Sequence, residues 1–190
     1  TAGLMDLRQQ HVDTIGALVP LCEIARDGGK IALYSQGGAA LIDGQAATIG
    51  FSPKNIVTSY MSVDTGTLSG LTINDQPVRT GSDNGALRGG TLGAQFAIRD
   101  ELGVTAQQEI DALARDMVER FASSTVDPTL GAGDAGLFTD QGLSFGPADE
   151  IGLSSRLQIN AAVDPSQGGE TWRIRDGMNA VVAGPVGDAS

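Results

Sequence analysis

The sequence predicts an α+β fold: two long amphipathic helical segments packed together, a β-hairpin-rich insert between them, and an irregular C-terminal part. Three observations predict it. Apolar residues recur at spacings of three and four over residues 2–18. The same rhythm returns from Leu92 to Phe121. Between the two, short apolar runs alternate with Gly- and Asp-rich turns. The first two patterns are helical and the third is that of strands.

Leu4, Leu7, His11, Ile15 and Leu18 form the first stripe, and Pro20 cannot continue the helix. Leu21–Arg26 and Lys30–Ser35 flank Asp27-Gly28-Gly29, which reads as a hairpin. Ala39–Ile42 and Gln45–Phe51 flank Asp43-Gly44, whose residues suit the positive φ of a type I′ turn. Ile56–Met61 and Leu68–Ile73 are two further strand candidates, and Thr80–Gly90 is a polar loop. Leu92, Phe96, Ile110, Leu113, Met117 and Phe121 mark the second stripe. Gly103-Val104 is a weak point in it, and Thr105 with Gln108 has capping-box spacing. Two helices in line, 91–102 and 106–123, or one kinked helix fit equally. Beyond Gly131, Leu137-Phe138 is an isolated apolar pair, 153–163 is small and apolar, and Thr171–Arg175 reads as extended.

This divides the chain into a helical, stalk-side layer (1–20 and 87–125), a β-rich insert (21–86) and an irregular, mixed segment (126–190). Leu113 is expected in the core, with the two helical stripes facing each other.

Composition narrows the function. There are 12 basic and 23 acidic residues, a formal net charge of -11. That charge opposes phosphate backbones and anionic lipid, so neither nucleic acid nor membrane is an expected partner. Aromatic content of 4% gives little surface on which bases would stack. No apolar run approaches the ~20 residues needed to cross a bilayer, and no cleavable signal peptide is visible at the start.

Each chemical candidate has a plain structural reading. His11, the single histidine, is the only imidazole base, and it sits on the apolar stripe of a helix. Cys22 has no activating cations near it in sequence and reads as a small buried hydrophobe. Gln36-Gly37-Gly38 and Gly89-Gly90 lack the remainder of any phosphate-binding pattern, so they read as turns. Asp127, Asp134, Asp140, Asp149 and Glu150 lack the order of a calcium loop and read as a solvated acidic region. Asp100, Glu101 and Asp111 lie among Arg99, Arg115 and Arg120, which suggests helix-surface ion pairs. No catalytic, cofactor-binding or metal-binding residue is therefore expected, and no cofactor.

Four stretches in order resemble the family of bacterial flagellar hook-associated protein 1, the hook–filament junction protein. They are Leu4-Met5-Asp6-Leu7-Arg8; Asp27-Gly28-Gly29 followed by Leu41-Ile42-Asp43-Gly44-Gln45-Ala46-Ala47; Gly89-Gly90-Thr91-Leu92-Gly93-Ala94-Gln95-Phe96-Ala97-Ile98-Arg99-Asp100, continued by Glu109–Ala114; and Leu137-Phe138-Thr139 with Leu157–Asn160 and Val163-Asp164-Pro165. The resemblance implies a central fragment of a non-enzymatic axial protein. Such a protein is secreted by type III export without a cleaved signal, is extracellular, and serves cell motility. Its implied partners are the hook protein, neighbouring hook-associated proteins, and other copies of the full-length chain. The family's terminal coiled-coil helices are missing here, so this fragment alone is expected to be monomeric. Where the family often has Pro in the long helix, this chain has Gly103-Val104. The alternative is an extracellular binding or adhesion module with an acidic β-rich surface, which would fold through its strands alone.

Overall fold

In a computed structural model, which describes residues 2–185 and 187, helix α1 spans Ala2–Leu18, as the periodicity predicts. The chain divides into two compact units, Thr1–Thr105 and Ala106–Ser190. The division falls inside the helical segment that the sequence assigns to one layer.

In the first unit, strands β1 (Leu21–Ala25), β2 (Ile31–Ser35), β3 (Ala40–Asp43) and β4 (Gln45–Ala46) form an antiparallel sheet in that order. The β1–β2 hairpin turns at Asp27–Gly29, where the sequence places it. A second antiparallel sheet holds β5 (Ile49–Gly50), β6 (Leu71–Ile73) and β7 (Gln76–Val78). The core gathers Val12, Val19, Leu33, Leu41, Leu71, Leu87 and Phe96, with Ile15 and Leu92 packed against it. Central strand β2 contributes Leu33 at 1% exposure.

The long helical segment is unbroken: α2 (Gly90–Ala97), a π-helical turn (Ile98–Leu102) and α3 (Gly103–Phe121). Its start packs against α1. Thr91 Oγ1 donates to the Ala17 carbonyl at 3.1 Å. Gly90 has φ +62, and a Cβ there would lie 2.4 Å from the Leu18 carbonyl oxygen. Glycine permits this approach on both counts.

The second unit holds most of α3, a ribbon of β8 (Phe138–Asp140) and β9 (Leu157–Ile159), and the short helices α4 (Leu153–Arg156) and α5 (Arg173–Asp176). Phe121 and Phe138 meet edge to face, their centroids 5.1 Å apart. Leu130, Val163 and Met178 form a small core with Leu137 against it.

Several expectations need correction. The stripes read from the sequence match the covered rows only in part: Ile15, Leu92 and Phe96 join the core, and the others named below do not. On α1, Leu4 is 71% exposed and Leu7 and Leu18 are also exposed; of the expected stripe Ile15 packs against the core, together with Val12 and, just past the helix end, Val19. On α3, Leu113 is 62% exposed and Ile110 is exposed, while Asp111, Ala114 and Val118 are buried. Both helices carry two overlapping apolar rows. Periodicity identifies the helix but does not choose the row; the tertiary partner does. Ile56–Met61 forms no strand. It ends in a turn, Met61 N–H donating to the Thr58 carbonyl, and just beyond it hydroxyls take backbone donors: Ser62 N–H donates to Thr67 Oγ1 (3.0 Å) and Thr65 N–H to Ser62 Oγ (3.1 Å). The Gln45–Phe51 run is split between the two sheets. Gly44 has the expected positive φ (+81°), but only this residue separates the pair Asp43↔Gln45, so the turn is tighter than type I′. The type I′ signature lies at Asn74 and Asp75 (φ 50° and 63°), between the paired Ile73 and Gln76. Thr171–Arg175 is not extended; the Arg175 N–H donates to the Trp172 carbonyl in a helical turn.

Two leucines on these elements should behave oppositely. Leu33→Ala is expected to cost about 2–5 kcal/mol, as for a buried leucine. Leu113→Ala should change stability by no more than about 0.5 kcal/mol, as at an exposed site. Urea unfolding of both variants checks this pair.

Candidate functional site

Where the helix passes through its π-turn, side chains from strand, loop and helix converge on a groove of about 470 Å³ in the first unit. Met61, Leu68 and Val78 line it, with Arg79, Arg99 and Asp100 among its polar groups. Arg99 Nε and Nη2 donate to the two Asp100 carboxylate oxygens at 2.5 and 2.8 Å. The same guanidinium lies 5.1 Å from the Phe96 ring centroid and 5.7 Å from that of Phe51. Glu101 accepts from the Ser82 N–H (2.7 Å) and hydroxyl (2.8 Å). These hydrogen bonds hold its carboxyl below the ordinary range. Asp100 and Glu101 are thus occupied in fixing structure.

Two buried carboxylates organise the second unit, and sequence reasoning missed both roles. Asp111, which the sequence suggests as a surface ion-pair partner, is buried. Gly152 N–H donates to its Oδ2 (2.7 Å); Ser154 N–H (2.9 Å), Ser154 Oγ (2.6 Å) and Gln107 Nε2 (3.0 Å) donate to its Oδ1. Asp127 accepts from Met178 N–H (2.7 Å), Thr129 N–H (2.9 Å) and Thr129 Oγ1 (2.6 Å). Burial opposes the charge of each carboxylate, but the donors outweigh it, so both carboxyls lie below their ordinary values. The clue available in sequence was local: Asp-x-Thr at 127–129 is an Asx-turn pattern. Nothing local marked Asp111.

Of the remaining acidic candidates, Asp134 and Asp149 are exposed, as a solvated region implies, whereas Asp140 and Glu150 are partly buried in ion pairs. Asp140 is paired with Arg156 at 2.7 Å, both largely buried, and Glu150 with Arg115 at 2.9 Å. Asp134 accepts from Gly131 N–H and from Asn179 Nδ2. The Asp149 carbonyl accepts from Arg156. Among the described residues, no group of three His, Cys, Asp or Glu side chains is placed to hold a metal ion. His11 is exposed, one residue from the buried Val12. Cys22 is an exposed free thiol on β1, not the buried hydrophobe its residue type suggests. The strand's burial pattern explains it, since β1 lies at the sheet edge and is exposed at four of five positions. No described helix is long and apolar enough to cross a membrane.

What the surface does offer is apolar area. Leu4, Met5, Leu7 and Leu18 on α1, and Ile110 and Leu113 on α3, are exposed. Apolar side chains exposed together on a helix make a surface suited to contact with a partner. The family model for the flagellar hook-associated protein FlgK helical domain matches residues 1–127, which take in α1, both sheets and the whole helical segment 90–121. The chain belongs to the FlgK family. FlgK is a structural flagellar protein and not an enzyme family, so the chain is assigned to the flagellum and to motility. No curated protein and no solved structure matches it. Nothing found supports the adhesion-module alternative.

The buried carboxylates give a pH dependence with a definite sign. Their folded-state pKa values lie below the unfolded value of about 3.9. The unfolded chain therefore binds more protons in acid. Their stabilisation is present above about pH 4 and is lost as pH falls through the folded-state values. Asp111→Asn should lose about 1–3 kcal/mol at pH 7, because the amide cannot accept from all the buried donors. It should also flatten the decline in stability between pH 5 and pH 3. Urea unfolding across that range measures both effects.

Proposed function

We propose that this FlgK-family chain is a structural segment of the protein that joins the flagellar hook to the filament. It has no catalytic role, and no catalytic, cofactor-binding or metal-binding residue is assigned. The observation that carries the reading is the family match over residues 1–127, which covers the helices bearing the exposed apolar rows. In this reading residues 1–20 and 87–125 form the stalk-side layer. The insert 21–86 faces away from the flagellar axis, and 126–190 is a further mixed segment. Neighbouring axial proteins cover the apolar rows: the hook protein, other hook-associated proteins, and copies of the full-length chain. Export proceeds through the flagellar type III apparatus without a cleaved signal, to an extracellular site. The net charge of -11 suits neither nucleic acid nor an anionic membrane as a partner.

Deleting the parent gene should leave cells with hooks but without attached filaments, and electron microscopy reads this directly. Normal filaments on the deletion strain would refute the junction role. In the full-length protein, Ile110→Glu with Leu113→Glu should preserve export and folding yet reduce swimming, since both side chains are exposed in the isolated fold. The 190-residue chain by itself should scatter light as a monomer.

A further inference from the structure

We propose that residues 98–105 form a two-register element, held in its π register by the grip of Glu101 on Ser82 and relaxing to plain α-helix when that grip is released. The loop 80–85 and the helix are thereby coupled. The first observation is the turn itself. Ile98–Leu102 is π-helical, and the Gly103 N–H donates to the Ile98 carbonyl five residues back, with α-helix on both sides. A π-turn accommodates one residue more than the α-helix around it. It is disfavoured without tertiary support and tends to occur at functional sites.

The second observation is Gly103. A Cβ at this position would lie 2.8 Å from the Ile98 carbonyl oxygen, the same atom that the π-turn places against it. A side chain here would therefore penalise the π register. The α register, where Gly103 would bond to Arg99, has no such conflict. Glycine at 103 keeps both registers open.

The third observation is what holds the bulge. Ser82 donates twice to one carboxylate, N–H to Glu101 Oε1 at 2.7 Å and Oγ to Oε2 at 2.8 Å. Thr80 Oγ1 adds a longer bond to Asp100 at 3.4 Å. Absorbing the bulge would turn the helix beyond it by roughly 100°, one residue's rotation. Glu101 would then swing away from Ser82. The loop itself is closed by Gly85 N–H to the Gly81 carbonyl (2.8 Å) and Ala86 N–H to the Arg79 carbonyl (2.9 Å). Thr80, Gly81 and Asn84 line the groove together with Arg99, Asp100 and Glu101. Displacing the loop and changing the helix register are one linked equilibrium, so each must act on the other.

Nuclear magnetic resonance of the whole chain tests the coupling in both directions. Scalar coupling across hydrogen bonds identifies which carbonyl accepts from the Gly103 N–H. The wild type should show Ile98, and Glu101→Ala should move the acceptor to Arg99. Gly103→Ala should make the same move with the clamp residues intact, and should speed amide exchange at Ser82 at least tenfold. Unchanged protection of the Leu33 amide reports that the unit remains folded. If Glu101→Ala unfolds the unit, Ser82→Ala, which removes only the hydroxyl bond, should show a mixture of the two acceptors. The proposal fails if Ile98 remains the sole acceptor in whichever clamp variant folds. It also fails if Gly103→Ala leaves Ser82 exchange at the wild-type rate.

Discussion

The backbone of Gly90 presses against the last turn of α1, and the first unit is arranged around that contact. A Cβ at Gly90 would overlap the Leu18 carbonyl oxygen and approach the Pro20 ring at 3.1 Å. One residue on, the Thr91 hydroxyl satisfies the Ala17 carbonyl, one of the acceptors left open at a helix end. This closes a long excursion of chain into two small sheets. Once α1 and α2 are joined, Val12, Val19 and Phe96 share a core with Leu33, Leu41 and Leu71. The second sheet would not be stable by itself, since its strands have two or three residues. The helices are equally dependent, because an isolated helix the length of α1 is marginal in water.

In the second unit buried charge works beside buried apolar side chains such as Val118 and Leu153. Its core cluster is small, and Asp111 and Asp127 do the tethering through donors far away in sequence. An ionised carboxylate is retained inside only when its acceptor sites are filled, and here they are. These two groups therefore read as structural, despite having the burial and shifted titration that often mark catalytic residues. With the carboxylates engaged in this way, the exposed apolar side chains of α1 and α3 are the surface feature that suits a structural flagellar protein.

The sequence made the elements legible, and the family motifs with them. Helix α1, the β1–β2 hairpin and the helical character of 91–121 can each be read from local pattern, but the sequence suggests a break or kink near Gly103 where the helix runs on through a π-turn. Orientation could not be read. Leu113 fits the helical rhythm as well as Ala114 or Val118, and which row is buried depends on Gly152 and Ser154 drawing Asp111 inward. The strand expected at 56–61 does not form; the segment ends in a local turn, with Met61 N–H donating to the Thr58 carbonyl, which β-propensity does not register. The π-turn escaped notice too. Gly103 signals only a weak helix in sequence, and its purpose emerges when the Ile98 carbonyl is seen beneath it.

The joint at Gly90 can be tested by itself with Gly90→Val, followed by urea unfolding and amide exchange in α1. A β-branched side chain would meet both an unfavourable φ and an occupied space, so stability should fall by about 2 kcal/mol or more. The α1 amides should lose protection along with those of β2. A variant with the wild-type unfolding midpoint and full protection of α1 would show that the two helices are not held together at this contact.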